Sequence, residues 1–512
     1  MTSTDVFEDE ATEPQVDETT ALLAAPAKAS PARDDEAGPD NNDTKDDKPL
    51  PKDQILLLCF ARVVEPIAFF CIFPFINQMI RDTGVAEENV GFYSGLIESL
   101  FSLTQMVLMI PWGWAADYWG RKPILVSSLA GVAVATAIFG LSKTIWQMIV
   151  FRCFAGLFAG TIVYETFGQV TLHAWDFSLT AWRLYRTIRT MISENSTHKT
   201  QARAFSFFAF TGNLGIFLGP IIGGALAKPA TVFPSIFGHI QFFHDYPYAL
   251  PTIVTGSIGA IATVTSALFI KETLVREPKS SSDAASPPRM STLELLRAPN
   301  VGITLYIYAH VMLLAFAYTA ISPVFSFTPV HLGGFGFSPL QISLFMGLVG
   351  LSQSLYLLIV FPWLQKRIGT AGVLRLCANA YPFFFAILPG CNLLLRNNWT
   401  TAFWVVAPVS LAVGSGVAMS FTAIQLVLND VSPSPAVLGT LNAVALTLVS
   451  GIRAFSPALF ASLFATSVGS KILGGHVIWI LMIALALGFT VVSRWVPEEE
   501  EEQGNKNGGR RV

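Results

Sequence analysis

Gly113-Trp-Ala-Ala-Asp-Tyr-Trp-Gly-Arg-Lys-Pro-Ile-Leu125 is a short, charged, glycine-punctuated stretch held between two long apolar runs. Asp117, Arg121 and Lys122 cannot sit in hydrocarbon, so the chain must turn here at a membrane surface. Two cations in so short a connection mark that surface as cytoplasmic. The rest of the sequence agrees. Charged residues make up 13% and apolar residues 52% of the chain, against about a quarter and about a half in soluble domains. Apolar stretches of about 20 residues recur, the length a helix needs to cross a bilayer. Backbone groups in lipid must satisfy one another, so these stretches are expected to be helices. Nothing shows the alternating pattern of a membrane barrel.

Twelve spans are read, at 55–79, 92–114, 124–142, 145–163, 204–227, 249–270, 301–322, 340–362, 372–394, 402–427, 438–463 and 474–494. With the polar N-terminal tail inside, the inner connections carry most of the Lys and Arg, among them Arg121, Lys122, Arg203, Lys271, Arg289, Lys366 and Arg375. The outer ones carry only Arg81, Lys143, Lys228, Arg396 and Lys471, the asymmetry of a chain with both termini cytoplasmic. Residues 1–53 are crowded with Asp, Glu, Lys, Pro and Ala and read as a disordered tail, not a signal peptide. Residues 496–512, with the acidic run Glu498 to Glu502, read as a second one. A polar linker, 271–300, contains Ser280-Ser-Ser-Asp-Ala-Ala-Ser-Pro-Pro288 and divides the spans into halves 54–270 and 301–495. Phe361-Pro-Trp-Leu-Gln-Lys-Arg-Ile-Gly-Thr370 after span 8 echoes Ile110-Pro-Trp-Gly-Trp-Ala-Ala-Asp117 after span 2, although it lacks the acid. The expected fold class is thus an all-α membrane protein of twelve transmembrane helices in two six-helix pseudo-repeat halves.

Three motifs resemble those of the major facilitator superfamily. Gly113, Asp117, Gly120, Arg121 and Lys122 fill its signature pattern between helices 2 and 3. The resemblance implies that Asp117 latches the outward-open state, with Arg121 as its partner. Arg152-Cys-Phe-Ala-Gly156-Leu-Phe-Ala-Gly160 in span 4 resembles the family's R-x-x-x-G-x-x-x-G run, whose arginine is linked to proton transfer. Arg152 lies about seven residues, roughly 10 Å, from Ile145, so a snorkelling arginine is the alternative. Gly215-Ile-Phe-Leu-Gly219-Pro220-Ile-Ile-Gly223-Gly224 in span 5 resembles the superfamily's antiporter motif, in which Pro bends the helix and Gly admits a neighbour. Pro51 to Ile67, Phe73 to Met79, Tyr246-Pro-Tyr-Ala-Leu-Pro251, Glu272-Thr-Leu and Leu438-Gly-Thr-Leu-Asn442 are similar to fungal twelve-span drug:proton antiporters and zinc-induced-facilitator-like proteins.

Ionisable groups inside the spans are candidate coupling residues. Arg62 and Glu65 stand at i, i+3 in span 1, as a structural pair or a proton site. Glu98 and Gln105 share a face of span 2. A carboxyl in hydrocarbon is costly as an anion, which suits a proton carrier. His310 and Arg453 read as packing or interface residues. The expected function is a proton-coupled antiporter exporting a small solute or drug by alternating access. A uniporter or symporter is the alternative within transport, and a transporter-like nutrient receptor is one of a different class. No catalytic constellation or phosphate-binding loop appears, so no enzyme activity, cofactor, metal or nucleic-acid partner is expected. Partners are protons, lipid and a small-molecule substrate, with the chain a monomer.

Residues 164–186, YETFGQVTLHAWDFSLTAWRLYR, do not fit the family pattern. Removing them joins Val163 to Thr187 within one continuous helix pattern. Codons for Val163-Tyr164-Glu165, Leu179-Thr180 and Tyr185-Arg186 can spell splice donor, branch and acceptor sequences in matching phase, so the block reads as a translated intron, with a genuine cytoplasmic insertion as the rival. Glu18-Thr-Thr-Ala-Leu22-Leu23 fits an acidic dileucine sorting signal or is a coincidence. A sorting signal would favour a vacuolar over a plasma membrane. Asn398-Trp-Thr400 is a glycosylation sequon on the outside, whereas Asn42 and Asn195 lie inside and should stay bare.

Overall fold

The structure, a computed structural model, describes residues 52–163, 201–272, 292–433 and 435–497. The expected tails, the 164–186 block, the sorting sequence at Glu18, Leu22 and Leu23, the sequons at Asn42 and Asn195, and most of the linker lie outside the described residues. All twelve spans fall on helices, and the described residues contain no strand. Span 1 is divided into Lys52–Phe70 and Phe73–Asp82. Pro74 cannot donate to the carbonyl of Phe70, and the helix breaks there. Spans 2 to 6 are Val90–Trp119, Arg121–Phe139, Ile145–Val163, Gln201–Leu226 and Ala249–Phe269. Spans 7 and 8 are Val301–Phe327 and Pro339–Leu355, the latter followed by a π-helical turn at Tyr356–Val360. Span 9 forms the main part of the helix Phe361–Arg396. Span 10 comprises Thr400–Gly414 and Met419–Asp430, and spans 11 and 12 are Pro435–Ser470 and Val477–Val492.

The opening stretch differs from the expected loop. Span 2 stays helical to Trp119, and span 3 begins at Arg121. The turn is Gly120 alone, at φ 106° and ψ 157°, in the left-handed half of conformational space where glycine is favoured. Its echo behaves alike: Gly369, at φ 71° and ψ 169°, interrupts the helix before span 9. The repeat is therefore carried by one glycine in each half. The difference lies in what meets it. The Glu272 carboxylate, just past span 6, accepts from the backbone N–H of Arg121 at 3.1 Å and of Lys122 at 3.0 Å, an anion on a helix N-terminus. A Cβ on Gly369 would meet nothing within 4 Å.

Spans run up and down. At the termini end, Gln54 donates to Phe269 and accepts from Lys271, while Arg375 donates to Ser493 and Val496. At the far end, Asp82 takes Lys228 at 2.9 Å and the Tyr248 hydroxyl at 2.5 Å. There Arg396 donates to carbonyls of Val330, His331 and Gly474, drawing together three loops of the second half. The two halves press on each other at this far end. Gly91 and Gly95 of span 2 face Ala461 and Pro457 of span 11. Gly224 of span 5 faces Pro339 and Ser343 of span 8, and the Arg81 guanidinium lies 4.9 Å over the Phe327 ring.

Candidate functional site

Span 5 is set against span 1 by its glycines. A Cβ on Gly215 would meet Pro66 at 2.7 Å, one on Gly219 would meet the Ile67 carbonyl at 3.0 Å, and one on Gly223 would run into the Cys71 carbonyl. The i, i+4, i+8 spacing puts the three on one helix face, while Gly224 turns to the other half. Pro220 faces a central cavity. In span 4, Gly156 lets the helix approach the Phe101 backbone of span 2. Trp112 and Gln105 of span 2 donate to carbonyls of Leu157 and Ala159. Gln105 therefore ties helices together, a role its shared face with Glu98 did not suggest.

This packing buries a charged pocket. Arg62 Nη1 donates to Glu65 Oε2 at 2.9 Å, so that pair forms within one helix. Arg152 is 3% exposed. One of its nitrogens donates to the Phe69 carbonyl at 3.4 Å, and its guanidinium carbon lies 4.2 Å above the Phe101 ring and 5.2 Å from Phe69. A snorkelled side chain would reach water, and this one is enclosed. Arg453 of span 11 covers Phe69 from the second half at 4.6 Å. The Phe69 ring thus receives two cations, one from each half, an arrangement that cation–π attraction favours. Glu98 is buried, within electrostatic reach of Arg152 and Arg453 but without a direct salt bridge to either among the described residues. Glu65 also acts on both arginines.

The sequence expectations meet the structure unevenly. Glu65, Glu98 and Arg152 come together, with Arg62 beside them. Arg121 is buried and stands apart, at the Gly120 turn with Lys122. Gly113 and Asp117 lie in the helix of span 2 and Gly160 in that of span 4, and the structure does not describe the contacts of the Asp117 side chain. Asn398 is exposed at φ 58° in the turn between spans 9 and 10. His310 contacts the Leu485 carbonyl at 3.0 Å and packs against Phe489, as a packing residue would. Arg453, expected as a packing or interface residue, stands at the interface between the halves and there closes the charged pocket. The signal for it was present: an arginine deep in an apolar span requires a partner. Glu272 stood in the sequence only as part of a short family-like string.

Beyond Phe70, which packs edge-on to Phe69 at 5.0 Å, lies a cavity of about 400 Å³ between spans 1 and 5 of the first half and spans 7 to 10 of the second. Its walls include Tyr318, Tyr381 and Phe384, and among the described residues no Asp, Glu, Lys, Arg or His lines it. The chain holds 40 Phe, 11 Trp and 11 Tyr, and their spacing in sequence does not tell which of them converge on this wall.

The sequence model of the Major Facilitator Superfamily matches residues 58–164 and 184–457. The chain is 45% identical over 488 residues to "Efflux pump azaK" of Aspergillus niger, covering 94% of this chain and 97% of that protein. It is 26% identical to "Protein ZINC INDUCED FACILITATOR 1" of Arabidopsis thaliana, covering 82% of this chain and 87% of that one. Among solved structures, a D-xylose-proton symporter shares the fold at a TM-score of 0.61 and 15% identity, with 88% of this chain and 99% of that chain covered. A helical bundle around a central cavity, a family match spanning most of the chain and a near-full-length efflux-pump relative converge on one assignment. This chain belongs to the Major Facilitator Superfamily and is an integral, multi-pass membrane transporter of that type.

Proposed function

We propose that the protein is a proton-coupled antiporter that exports a small organic solute by alternating access. One observation carries the reading: Glu98, a buried carboxyl, lies within electrostatic reach of Arg152 of its own half and Arg453 of the other with no direct salt bridge to either among the described residues. As an anion it draws Arg453 toward the first half, and as a neutral acid it loses that attraction. A proton on Glu98 then changes the free-energy difference between two arrangements of the halves, which is what coupling requires. Glu65, held by Arg62, keeps a second negative charge near the arginines.

The far-end contacts at Gly91, Gly95 and Gly224 support reading this conformation as the one closed to the exterior, with both termini cytoplasmic. Asp117 at the end of span 2 and Arg121 and Lys122 at the start of span 3 flank the Gly120 turn and gate the opposite face, and Glu272 steadies the start of span 3. Export, as opposed to uptake, is supported by the span 5 motif and by the efflux role that the name of the Aspergillus niger relative gives that protein. Flux across proteoliposomes, measured over a compound panel with and without a pH gradient, tests the proposal. Gradient-driven flux that Asp117→Asn abolishes supports it. Flux indifferent to both the gradient and Asp117→Asn rejects it.

Residues 164–186 are proposed to be intron-derived. The superfamily match stops at 164 and resumes at 184. A transcript lacking these codons supports this origin, and uniform inclusion in the messenger rules it out.

A further inference from the structure

We infer that the cargo is an uncharged, flat aromatic molecule carrying a hydroxyl or carbonyl group, and that the Gln353 amide is the group that orients it. The inference rests on the transport reading for its purpose but not on proton coupling.

The cavity holds about 400 Å³, within the range of about 300–1,000 Å³ common for small-molecule sites. Its aromatic wall is arranged for a ring system: Tyr318 and Phe384 lie 4.9 Å apart, and Tyr381 and Phe421 join the same surface. A charged cargo would shed part of its hydration against these apolar walls and meet no counter-ion among the described lining residues, which costs it free energy. The ions of the molecule's interior lie behind Phe69 and Phe70, out of the lining.

The polar side chains on the lining are Tyr318, Thr319, Ser322, Ser326, Gln353 and Tyr381. Thr319 donates to the Ala315 carbonyl of its own helix at 2.9 Å. Tyr381 and Ser420 share a hydrogen bond at 3.2 Å. The Tyr318, Ser322 and Ser326 hydroxyls are short-armed or anchored on rings, so the longer Gln353 amide is the group that reaches toward a cargo. Gln353, one span away on span 8, faces the cavity, and its side-chain amide makes no hydrogen bond among the described residues. An amide offers two donors and one acceptor, so it can meet either a hydroxyl or a carbonyl. A glutamine amide set among these rings favours a cargo with such a group, because a cargo without one covers the amide and leaves it without a partner.

The test uses the full chain in lipid nanodiscs and four matched probes: pyrene, 1-hydroxypyrene, pyrene-1-carboxylate and pyrene-1-methylammonium. Energy transfer from protein tryptophan separates saturable binding from partition into lipid. At pH 7 the expected order places 1-hydroxypyrene at least about tenfold tighter than the carboxylate or the ammonium. Gln353→Leu should bring 1-hydroxypyrene down by about tenfold, to the level of pyrene, and leave pyrene unchanged. Gln353→Glu should move the preference to the ammonium and supplies an independent readout if the leucine variant does not fold. A charged probe binding wild type as tightly as 1-hydroxypyrene overturns the inference, as does 1-hydroxypyrene binding unaltered by both substitutions. Neutral selectivity with gradient-indifferent flux would reject antiport and leave this inference standing. Gradient-driven flux of charged probes alone would do the reverse.

Discussion

The pocket around Phe69 gathers Arg152 and Arg453 with Glu98 in electrostatic reach, whereas the cavity on the other side of Phe70 is lined, among the described residues, by no Asp, Glu, Lys, Arg or His. The charged pocket draws on spans 1, 2 and 4 and takes one arginine from span 11. The uncharged cavity draws mainly on spans 7 to 10. One bundle thus keeps its buried charges and its aromatic walls apart by two phenylalanine rings. On the proposed reading, the arginines give the charge state of Glu98 something to act on, and an uncharged cargo needs no ion beside it. Energy would then pass between the two through the relative position of the halves, so neither site needs to touch the other's ligand.

Substitutions in each region should therefore have separable effects. Glu98→Gln is expected to have the largest. It fixes the group as neutral, so gradient-driven flux should fall by up to about 100-fold, the upper range of a coupling free energy. Binding of 1-hydroxypyrene in nanodiscs should stay within about twofold of wild type. A parallel loss of probe binding would break the proposed separation. Arg453→Ala removes the cross-half partner and leaves Arg152. Flux should fall by about tenfold, read in the same vesicles, and an unchanged rate would remove Arg453 from the coupling set.

Span 5 sharpens the comparison because it touches both regions. Gly223→Val drives a side chain into the Cys71 carbonyl. It should lower stability by about 1–3 kcal/mol, seen as a lower thermal midpoint in detergent. The same change at Gly224 presses instead on Pro339 and Ser343 of the other half. It should slow transport by opposing far-end closure while binding persists. The smallest effect belongs to the two glycine turns. Glu272→Gln weakens the anionic cap on span 3 and should cost about 0.5–1 kcal/mol. At the Gly369 turn the contact is a neutral one, Gln365 Nε2 donating to the Thr370 hydroxyl at 3.0 Å, so Gln365→Ala should cost about 0.5 kcal/mol or less. Equal costs at the two turns would show that Glu272 contributes nothing there.

Much of the bundle could be read from hydropathy, because about 20 apolar residues in lipid have few structures open to them. The paired turns were partly readable: Pro-Trp followed by basic residues appears in both halves, and Gly120 and Gly369 both adopt positive φ. Their extent was not. Hydropathy ended span 2 at residue 114, but the helix runs to Trp119, since a helix leaving hydrocarbon keeps its own hydrogen bonds and continues until glycine releases it. Glu65, Glu98 and Arg152 stood out because charge in an apolar run is rare. Arg453 carried the same signal but no indication of its partner, which lies hundreds of residues away in the other half. Gln353 gave no signal at all: one amide in an apolar helix acquires meaning only when the surrounding rings are known to form a cavity.

The most direct test compares two modes of flux in proteoliposomes, using 1-hydroxypyrene as cargo. Wild type should move it both by exchange without a gradient and by net transport under an imposed pH gradient. Glu98→Gln should keep the exchange and lose the gradient-driven component. If Glu98→Gln responds to the gradient as wild type does, Glu98 is not the coupling carboxyl and the account fails at its centre.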